Sequence, residues 1–396
     1  MRIKRFFRSL PMKIWVILAA ILILTFFSND FGLVDIQKTA IILAAGVDRT
    51  EGGFALTAQI AVPKGTDRTT GGTSSIEITG EGATVSDCLS QVYSKTGWVP
   101  KLVFCDLILL GEETAQTGAF DALDFFLRNE YVPDSCLLAV CEGSAADILG
   151  ATSAIDDTSS LALEKLFSDA AKKSGRVMTT TLREFAIGYY GVSESGFMPY
   201  VRMQPQKSGT QGGAGGSESG SGGGSGAGGG ESQSEVIFSA EQTAVFAQGK
   251  MTGILSDEET LAFSMLGGNV YGGTIPADGV TLSVLKNSGS VSVSAEERLQ
   301  ATLEISLQVH LISRASPSSP ENIATDKVTG EEEAAAEALL TAAVARLWER
   351  CAQADCDLFQ LRRTLYRRSP EDYGKWKDTP LSEIETIVRV SVQGLE

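Results

Sequence analysis

Four arginines crowd one short stretch, FQLRRTLYRR, of an otherwise acidic chain. Arg362, Arg363, Arg367 and Arg368 make a candidate partner-docking patch for acidic loops or lipid headgroups, because guanidinium groups pair with carboxylate and phosphate. The competing reading is a solvated face or a set of internal ion pairs. The other reactive residue types assemble into nothing. His310 is the one histidine, and it falls on the polar side of an alternating run, with no partner for base or ligand duty. The six cysteines are Cys88, Cys105, Cys136, Cys141, Cys351 and Cys356. No CxxC pair occurs among them, which argues against zinc. Buried free thiols are expected, since cysteine packs as a small hydrophobe. No HExxH, nucleophile elbow or Cys–His arrangement is present. Carboxylates number 49, so the pair a retaining glycosidase needs can be picked anywhere and carries no information. No catalytic, cofactor-binding or metal-binding residue is assigned, no cofactor is expected, and no small-molecule site is identifiable.

At 396 residues the chain is long for one domain, and its 43% hydrophobic content suffices for real cores. The net charge is -16, unevenly placed. The first thirteen residues hold Arg2, Lys4, Arg5, Arg8 and Lys13 and no acid, which leaves the remainder at -21. Such a body repels phosphate, so nucleic acid is not an expected partner. After the basic flank, Ile14 to Phe27 carries no charge. The run is short for a full span and suits a signal-peptide core; adding Leu10 to Lys13, with Lys13 snorkelling, lengthens it. No small-x-small cleavage site follows. A retained signal anchor is expected, with a cleaved signal as the alternative, and either way the body is translocated.

The rest must position whatever works. Thr39 to Val47 reads as a buried strand, Phe54 to Val62 as its hairpin partner and Ser75 to Thr79 as a third strand, after a polar loop over Pro63 to Ser74. Thr84 to Lys95 has helical spacing, Leu102 to Leu110 reads as a strand, and Gly118 to Arg128 as a helix. Ser135 to Cys141 is a strand, and Ser144 caps a helix through Leu149. Leu161 to Lys173 and Thr181 to Tyr189 are amphipathic helices. Ser208 to Ser234 is almost all Gly and Ser. It reads as a flexible tether, and no Lys-Ser/Thr ends it as a phosphate loop requires. Glu241 to Ala247 and Lys250 to Leu255 form a hairpin, and Ser256 with Glu259 forms a capping box for the next helix. Asn269 to Ile275, Val280 to Leu285 and Ser290 to Ser294 are strand-like, and Gln300 to Ile312 alternates as a long half-buried antiparallel strand. Arg314 to Gly330 is a polar loop. Glu331 to Ala354 is a long helix whose end charges suit its dipole. Phe359 to Arg368 is a helix and Glu383 to Val392 a closing strand. The fold class expected is α+β, multi-domain, with mixed sheets and packed helices. A C-terminal antiparallel sheet carries the long helix, and one transmembrane helix comes first. The boundaries are 1–30 for the anchor, 35–204 for an N-terminal α+β region, 205–235 for the linker and 236–396 for a C-terminal α+β region.

Several stretches resemble the Ger(x)C family, the C subunits of spore nutrient-germinant receptors. They are Ala244-Val245-Phe246, Lys250-Met251, Gly253, Leu255 and Glu259-Thr260, in family order and spacing. Gly46-Val47-Asp48, Gln59-Ile60, Gly111-Glu112, Ala115, Gly118, Leu123 to Arg128, Ile148-Leu149, Thr181-Leu182, Phe185 and Pro199 are similar as well. So are Asp357, Arg362, Arg363, Pro370, Trp376 and Gly394 in the tail, where the segment after Pro370 is shorter than the family's. The family usually has a lipidated Cys followed by Trp-Asp. Asp30, Phe31 and Gly32 fall there instead, with no Cys before Cys88, so lipidation is expected to be absent and the apolar helix to serve as anchor.

The resemblance implies a non-catalytic subunit that assembles with integral-membrane A and B subunits. It would sit at the inner spore membrane, single-pass, with its body on the extracytoplasmic side. Two readings compete: an exported enzyme acting on peptidoglycan, and a membrane-anchored interaction or adhesion module unrelated to germination.

Overall fold

The computed structural model describes residues 12–28, 39–62, 74–205, 236–315 and 327–395. The basic flank, the Asp30–Gly32 stretch, most of the Pro63–Ser74 loop, the Ser208–Ser234 tether and part of the Arg314–Gly330 loop lie outside the described residues.

The chain opens with α1 (Met12–Ser28), whose one charged residue is Lys13. Ile14 to Ile23 are exposed on every side. The expected membrane-spanning helix is not met: among the described residues no helix is long and apolar enough to cross a membrane. At about 1.5 Å per residue, α1 falls short of a hydrocarbon core of about 30 Å.

The N-terminal region runs β1 (Thr39–Thr50), β2 (Gly53–Val62), β3 (Ser74–Gly82), α2 (Val85–Thr96), β4 (Val99–Lys101), β5 (Leu107–Gly111), α3 (Glu112–Arg128) and β6 (Leu137–Cys141). It continues with α4 (Ala145–Gly150), α5 (Ser159–Leu166), α6 (Asp169–Ser174), β7 (Thr180–Thr181), α7 (Leu182–Tyr189) and β8 (Ser195–Pro205). Beyond 235 come β9 (Val236–Ala247), β10 (Lys250–Leu255), α8 (Asp257–Leu266), β11 (Thr274–Ala277), β12 (Val280–Ala295) and β13 (Leu299–Arg314). Then follow α9 (Gly330–Gln353), α10 (Leu361–Arg368), α11 (Pro370–Trp376) and β14 (Glu385–Gly394).

Ten strands form one mixed sheet, in the order β10-β9-β8-β6-β5-β1-β2-β3, with β4 beside β1 and β7 beside β6. Strands from both sides of 205–235 therefore share one sheet. Pro205 of β8 pairs with Val236 of β9, so the 206–235 segment leaves and re-enters the sheet at one point. The period-2 alternation of β5 divides its side chains between two cores: Ile108 and Leu110 pack with α2 and α3, Leu107 and Leu109 with α4 and α5. Cys136 and Cys141 fall in those two different cores, and all six cysteines are buried and free. Burial pushes the Cys141 and Cys351 thiols far above their ordinary value and the Cys356 thiol to about 12, so none of these three is a ready thiolate.

The second sheet runs β11-β12-β13-β14. It packs against α8 and α9 around a third core. It is not wholly antiparallel as expected, because β13 and β14 pair in parallel from Gln300↔Glu385 to Val309↔Gly394. A parallel pair needs a long crossover, and α9 to α11 supply it. Edge amides of β14 are covered by α9: Val392 N–H donates to Glu337 Oε1 at 2.9 Å and Gly394 N–H to Glu333 Oε1 at 2.6 Å.

Local breaks differ from the expected elements for visible reasons. Leu102 to Asp106 is a turn rather than strand, closed by Cys105 N–H to the Leu102 carbonyl at 2.9 Å. The Leu161–Lys173 helix is broken after Leu166, where the Ser168 side chain caps a separate α6. Asn269 to Gly273 is not strand, and the two segments between Val280 and Ser294 are one continuous β12. The Gly118–Arg128 helix begins earlier, at Glu112, with a kink at Gly118.

Since Pro205 and Val236 are neighbours, deleting Ser208 to Gly230 should leave both sheets intact. Shortening the closed loop lowers its entropic cost by about 1 kcal/mol, so the melting temperature should hold or rise slightly. A drop of several degrees in a thermal scan would show that the segment packs on the body.

Candidate functional site

The arginine patch sits on α10, and the residues beneath α10 explain its placement. Cys356 to Phe359 form a buried segment that enters the body under the α7–β8 connection. At its centre Asp357 has no exposed surface. Its Oδ1 accepts from Leu361 N–H at 2.8 Å, and its Oδ2 from Arg362 N–H at 2.9 Å and the Ser193 hydroxyl at 2.7 Å. Its own N–H donates to Ser195 Oγ at 2.9 Å, and that hydroxyl donates to the Ser193 carbonyl at 2.7 Å. Asp357 thus stands in as the cap of α10, since the side chain of Gln360 at the cap position makes no bond to the helix backbone. It also pins the C-terminal tail to the N-terminal region. Burial pushes its carboxyl above the ordinary value, opposed by the Ser193 hydroxyl, the two helix N–H groups and Arg362.

Four non-glycine residues with left-handed backbone gather around this junction: Glu194 (φ 46°), Gln248 (φ 50°), Asp355 (φ 44°) and Gln360 (φ 55°). Such backbone persists only where surroundings over-determine it. Gln248 N–H is held by the Glu194 carbonyl at 2.8 Å, and Asp355 accepts from Leu381 N–H at 3.0 Å. Glu194, Gln248 and Asp355 also line a polar groove of about 760 Å³, together with Lys250, Arg362 and Lys377.

The four arginines are not equivalent. Arg362 is turned inward, its side chain 16% exposed, with Nη2 donating to both Asp355 oxygens at 2.9 and 3.0 Å and to the Thr379 carbonyl at 3.3 Å. Arg363 donates from Nη1 to Gln360 Oε1 at 2.7 Å. Arg367 and Arg368 are exposed on the last turn of α10, where cations suit the helix dipole. Arg363, Arg367 and Arg368 make no ion pair among the described residues. Replacing Arg362 with alanine should lower stability by about 1 kcal/mol, a value discounted for the half-exposed Asp355. Reversing Arg367 and Arg368 to glutamate should leave the melting temperature within a degree or two, because neither side chain has a partner among the described residues to lose. Thermal unfolding of the two variants separates the inward arginine from the free pair.

The motif residues of the sequence are engaged in construction. Asp48 holds the start of α4, accepting from Ala145 N–H at 2.8 Å and from Ala146 N–H and the Ser144 hydroxyl at 3.0 Å. Gly46 lets α4 approach, since a Cβ there would lie 3.0 Å from both Ala145 and Leu149. Gln59 is buried with its amide fully used, on Glu77, the Leu149 carbonyl, and the Ser159 hydroxyl and Ser160 N–H of α5. Glu259 completes the capping box with Ser256 and receives Arg350 of α9 at 3.0 and 3.2 Å. Thr260 and Thr243 share a buried hydroxyl contact of 3.1 Å. His310 is exposed on β13, as the alternation implies. Sequence reasoning missed the capping role of Asp48 and the double role of Asp357. An acid four residues before a helix that lacks its own cap was the available signal for Asp357.

Two family models match in tandem. Residues 33–203 match the spore germination protein N-terminal domain, and residues 241–394 match the C-terminal domain described as spore germination B3/GerAC like. Together they take in most of the chain on either side of the Gly/Ser segment. The chain belongs to the GerAC-like, or Ger(x)C, family of spore germination proteins. Among solved structures, one described as the crystal structure of the GerBC protein is similar at 15% identity. The match covers 89% of this chain and 97% of that one, with a TM-score of 0.49. No curated protein matches the chain.

Proposed function

We propose that this protein is the non-catalytic C subunit of a spore nutrient-germinant receptor, working with integral-membrane A and B subunits at the inner spore membrane. The observation that carries the reading is the tandem match of both halves to spore germination domains, in order. The local chemistry supports a scaffold. Asp48, Gln59, Glu259 and Asp357 are each engaged in helix caps or cross-element bonds, which positions elements against one another and leaves these side chains no free proton-transfer role. Arg367 and Arg368 present positive charge on a chain of net charge -16, and they suit acidic loops of a partner.

Membrane association belongs to the same reading. A helix apolar all round finds its burial in lipid or between other apolar helices, and α1 has that character. The body is on the extracytoplasmic side, and α1 adds its apolar surface to the membrane assembly.

Mild detergent extraction of spores tests the assembly. Two polytopic membrane proteins should co-purify with the chain, and reversal of Arg367 and Arg368 should weaken their recovery while the fold holds. Recovery of the wild-type chain as a solitary monomer would contradict the proposal.

A further inference from the structure

Beside the Asp357 junction lies a cleft of about 390 Å³. Small-ligand sites commonly run from about 300 to 1,000 Å³. Three separate pieces of chain close it: the Thr179–Thr180 segment with α7, the start of β8, and the tail at Leu358 to Arg363. Its walls are apolar where Phe185, Ile187, Phe197 and Leu358 meet.

Among the described residues, two polar groups in the lining keep bonding capacity to spare. Thr180 is 3% exposed, and its hydroxyl has no hydrogen-bond partner among the described residues. A buried hydroxyl left in that state costs about 1–3 kcal/mol, whereas valine fills nearly the same shape without the cost. Arg363 is the other. Its Nη1 bonds the neutral amide oxygen of Gln360, and no carboxylate of the described residues pairs with it. The remaining charged lining residue, Glu184, is engaged with its own helix. Its Oε2 accepts from Thr181 N–H at 3.0 Å and from the Thr181 hydroxyl at 3.1 Å as the partner of the α7 capping box. A partly apolar cleft with a guanidinium that has no ion-pair partner among the described residues and an unmet hydroxyl matches one ligand chemistry better than others.

We propose that this cleft binds a small organic carboxylate with an apolar body. The carboxylate pairs with Arg363, the body lies against Phe185, Phe197 and Leu358, and a second polar contact is made with Thr180. The inference needs only the geometry of the cleft and stands apart from the germination reading. Leu358, Gln360 and Arg363 flank Asp357 in the chain, so an occupant also braces the junction, and binding to the folded state alone raises the melting temperature.

The test uses the full chain in detergent micelles and three probes of one shape and different charge: phenylacetate, phenylacetamide and phenethylamine. Saturation-transfer NMR at millimolar probe reports binding, and thermal unfolding reports the brace. Phenylacetate, with hexanoate and isovalerate as further carboxylates, should give saturable signals and raise the melting temperature, while the amide and the amine should not. Arg363→Gln should weaken phenylacetate binding by about tenfold or more, the loss of one charge-assisted pair, and Arg363→Lys should restore part of it. Thr180→Val should weaken binding several-fold while its unliganded melting temperature stays level or rises. A merely structural threonine would instead lose stability on that change. Preference for the amine, saturation by none of the carboxylates, or undiminished binding to Arg363→Gln would overturn the proposal.

Discussion

Replacing Asp357 with alanine is expected to remove about 4 kcal/mol of folding stability. The side chain has no exposed surface and accepts three hydrogen bonds, from Leu361 N–H, Arg362 N–H and the Ser193 hydroxyl. Alanine leaves all three donors without an acceptor, at about 1–3 kcal/mol for each group that stays buried. Water entering the vacated space recovers part of this loss. The damage falls on a particular place: α10 loses its cap and the tail loses its tie to the α7–β8 connection. Urea unfolding should show a lower midpoint, and hydrogen exchange should show α10 opening ahead of the sheets. A loss under about 1 kcal/mol would mean that the tail is held by packing alone.

The same residue carries a pH signature. Burial raises the folded-state pKa of Asp357 above its ordinary value. Between those two values the folded state binds more proton than the unfolded state, so stability from this group falls as pH rises through that window. Below the ordinary value both states are protonated, and above the folded value the penalty is constant. Asp357→Asn removes the titration. The difference in stability between wild type and Asp357→Asn should therefore shift against the wild type as pH rises from the ordinary carboxylate range. A flat difference across that range would show that hydrogen bonding to Asp357 offsets its burial.

The second large effect is expected at Glu259. Its side chain is 3% exposed and receives Arg350 of α9, whose side chain is 42% exposed. It also accepts from Ser256 N–H at 2.8 Å, within the α8 cap. Glu259→Ala removes a cap bond and a two-pronged ion pair together, for an expected loss of about 3 kcal/mol. Arg350→Ala leaves the buried carboxylate with the one bond from Ser256 N–H and should cost a comparable amount. The double variant should cost clearly less than the sum, because both changes delete one interaction. Additive losses in chemical denaturation would place the stability elsewhere, in the apolar packing of α8 on β12 and β13. Glu259→Gln keeps the shape and one acceptor, and should cost about 1 kcal/mol.

Elements whose signal is local were legible in the sequence. The β9–β10 hairpin, the Ser256–Glu259 capping box and the alternation over Gln300 to Ile312 are met, although β9 starts at Val236, ahead of the expected Glu241. The long helix expected over Glu331 to Ala354 spans Gly330–Gln353, with Ala336, Leu340, Ala343 and Leu347 buried on it, while the Thr329–Glu332 capping box at its start was not read. What escaped depends on distant partners. Lys286 to Gly289 looks like a break between two strands, yet it pairs throughout with Ile305 to Gln308. Gly289 is needed there because a Cβ would lie 2.2 Å from the Met265 carbonyl at the end of α8. The parallel pairing of β13 with β14 is set by the crossover, and no local pattern encodes it. The same holds for the site. Asp48, Gln59, Glu259 and Asp357 could be read as positions, but Asp357 meets Ser193, 164 residues away, and Glu259 meets Arg350, 91 residues away. The four arginines are equivalent in sequence, and only the position of Asp355 and Thr379 draws Arg362 inward.

Dipicolinate release from spores that lack this chain, in a strain also deleted for its other receptors of this family and complemented with this one alone, tests the central claim most directly. The account predicts that the complemented spores respond to one class of nutrient and that removing the chain abolishes the response. Germination by exogenous calcium dipicolinate should stay intact in both. Equal release with and without the chain, in a background where no other family member can substitute, would contradict its assignment as a receptor subunit.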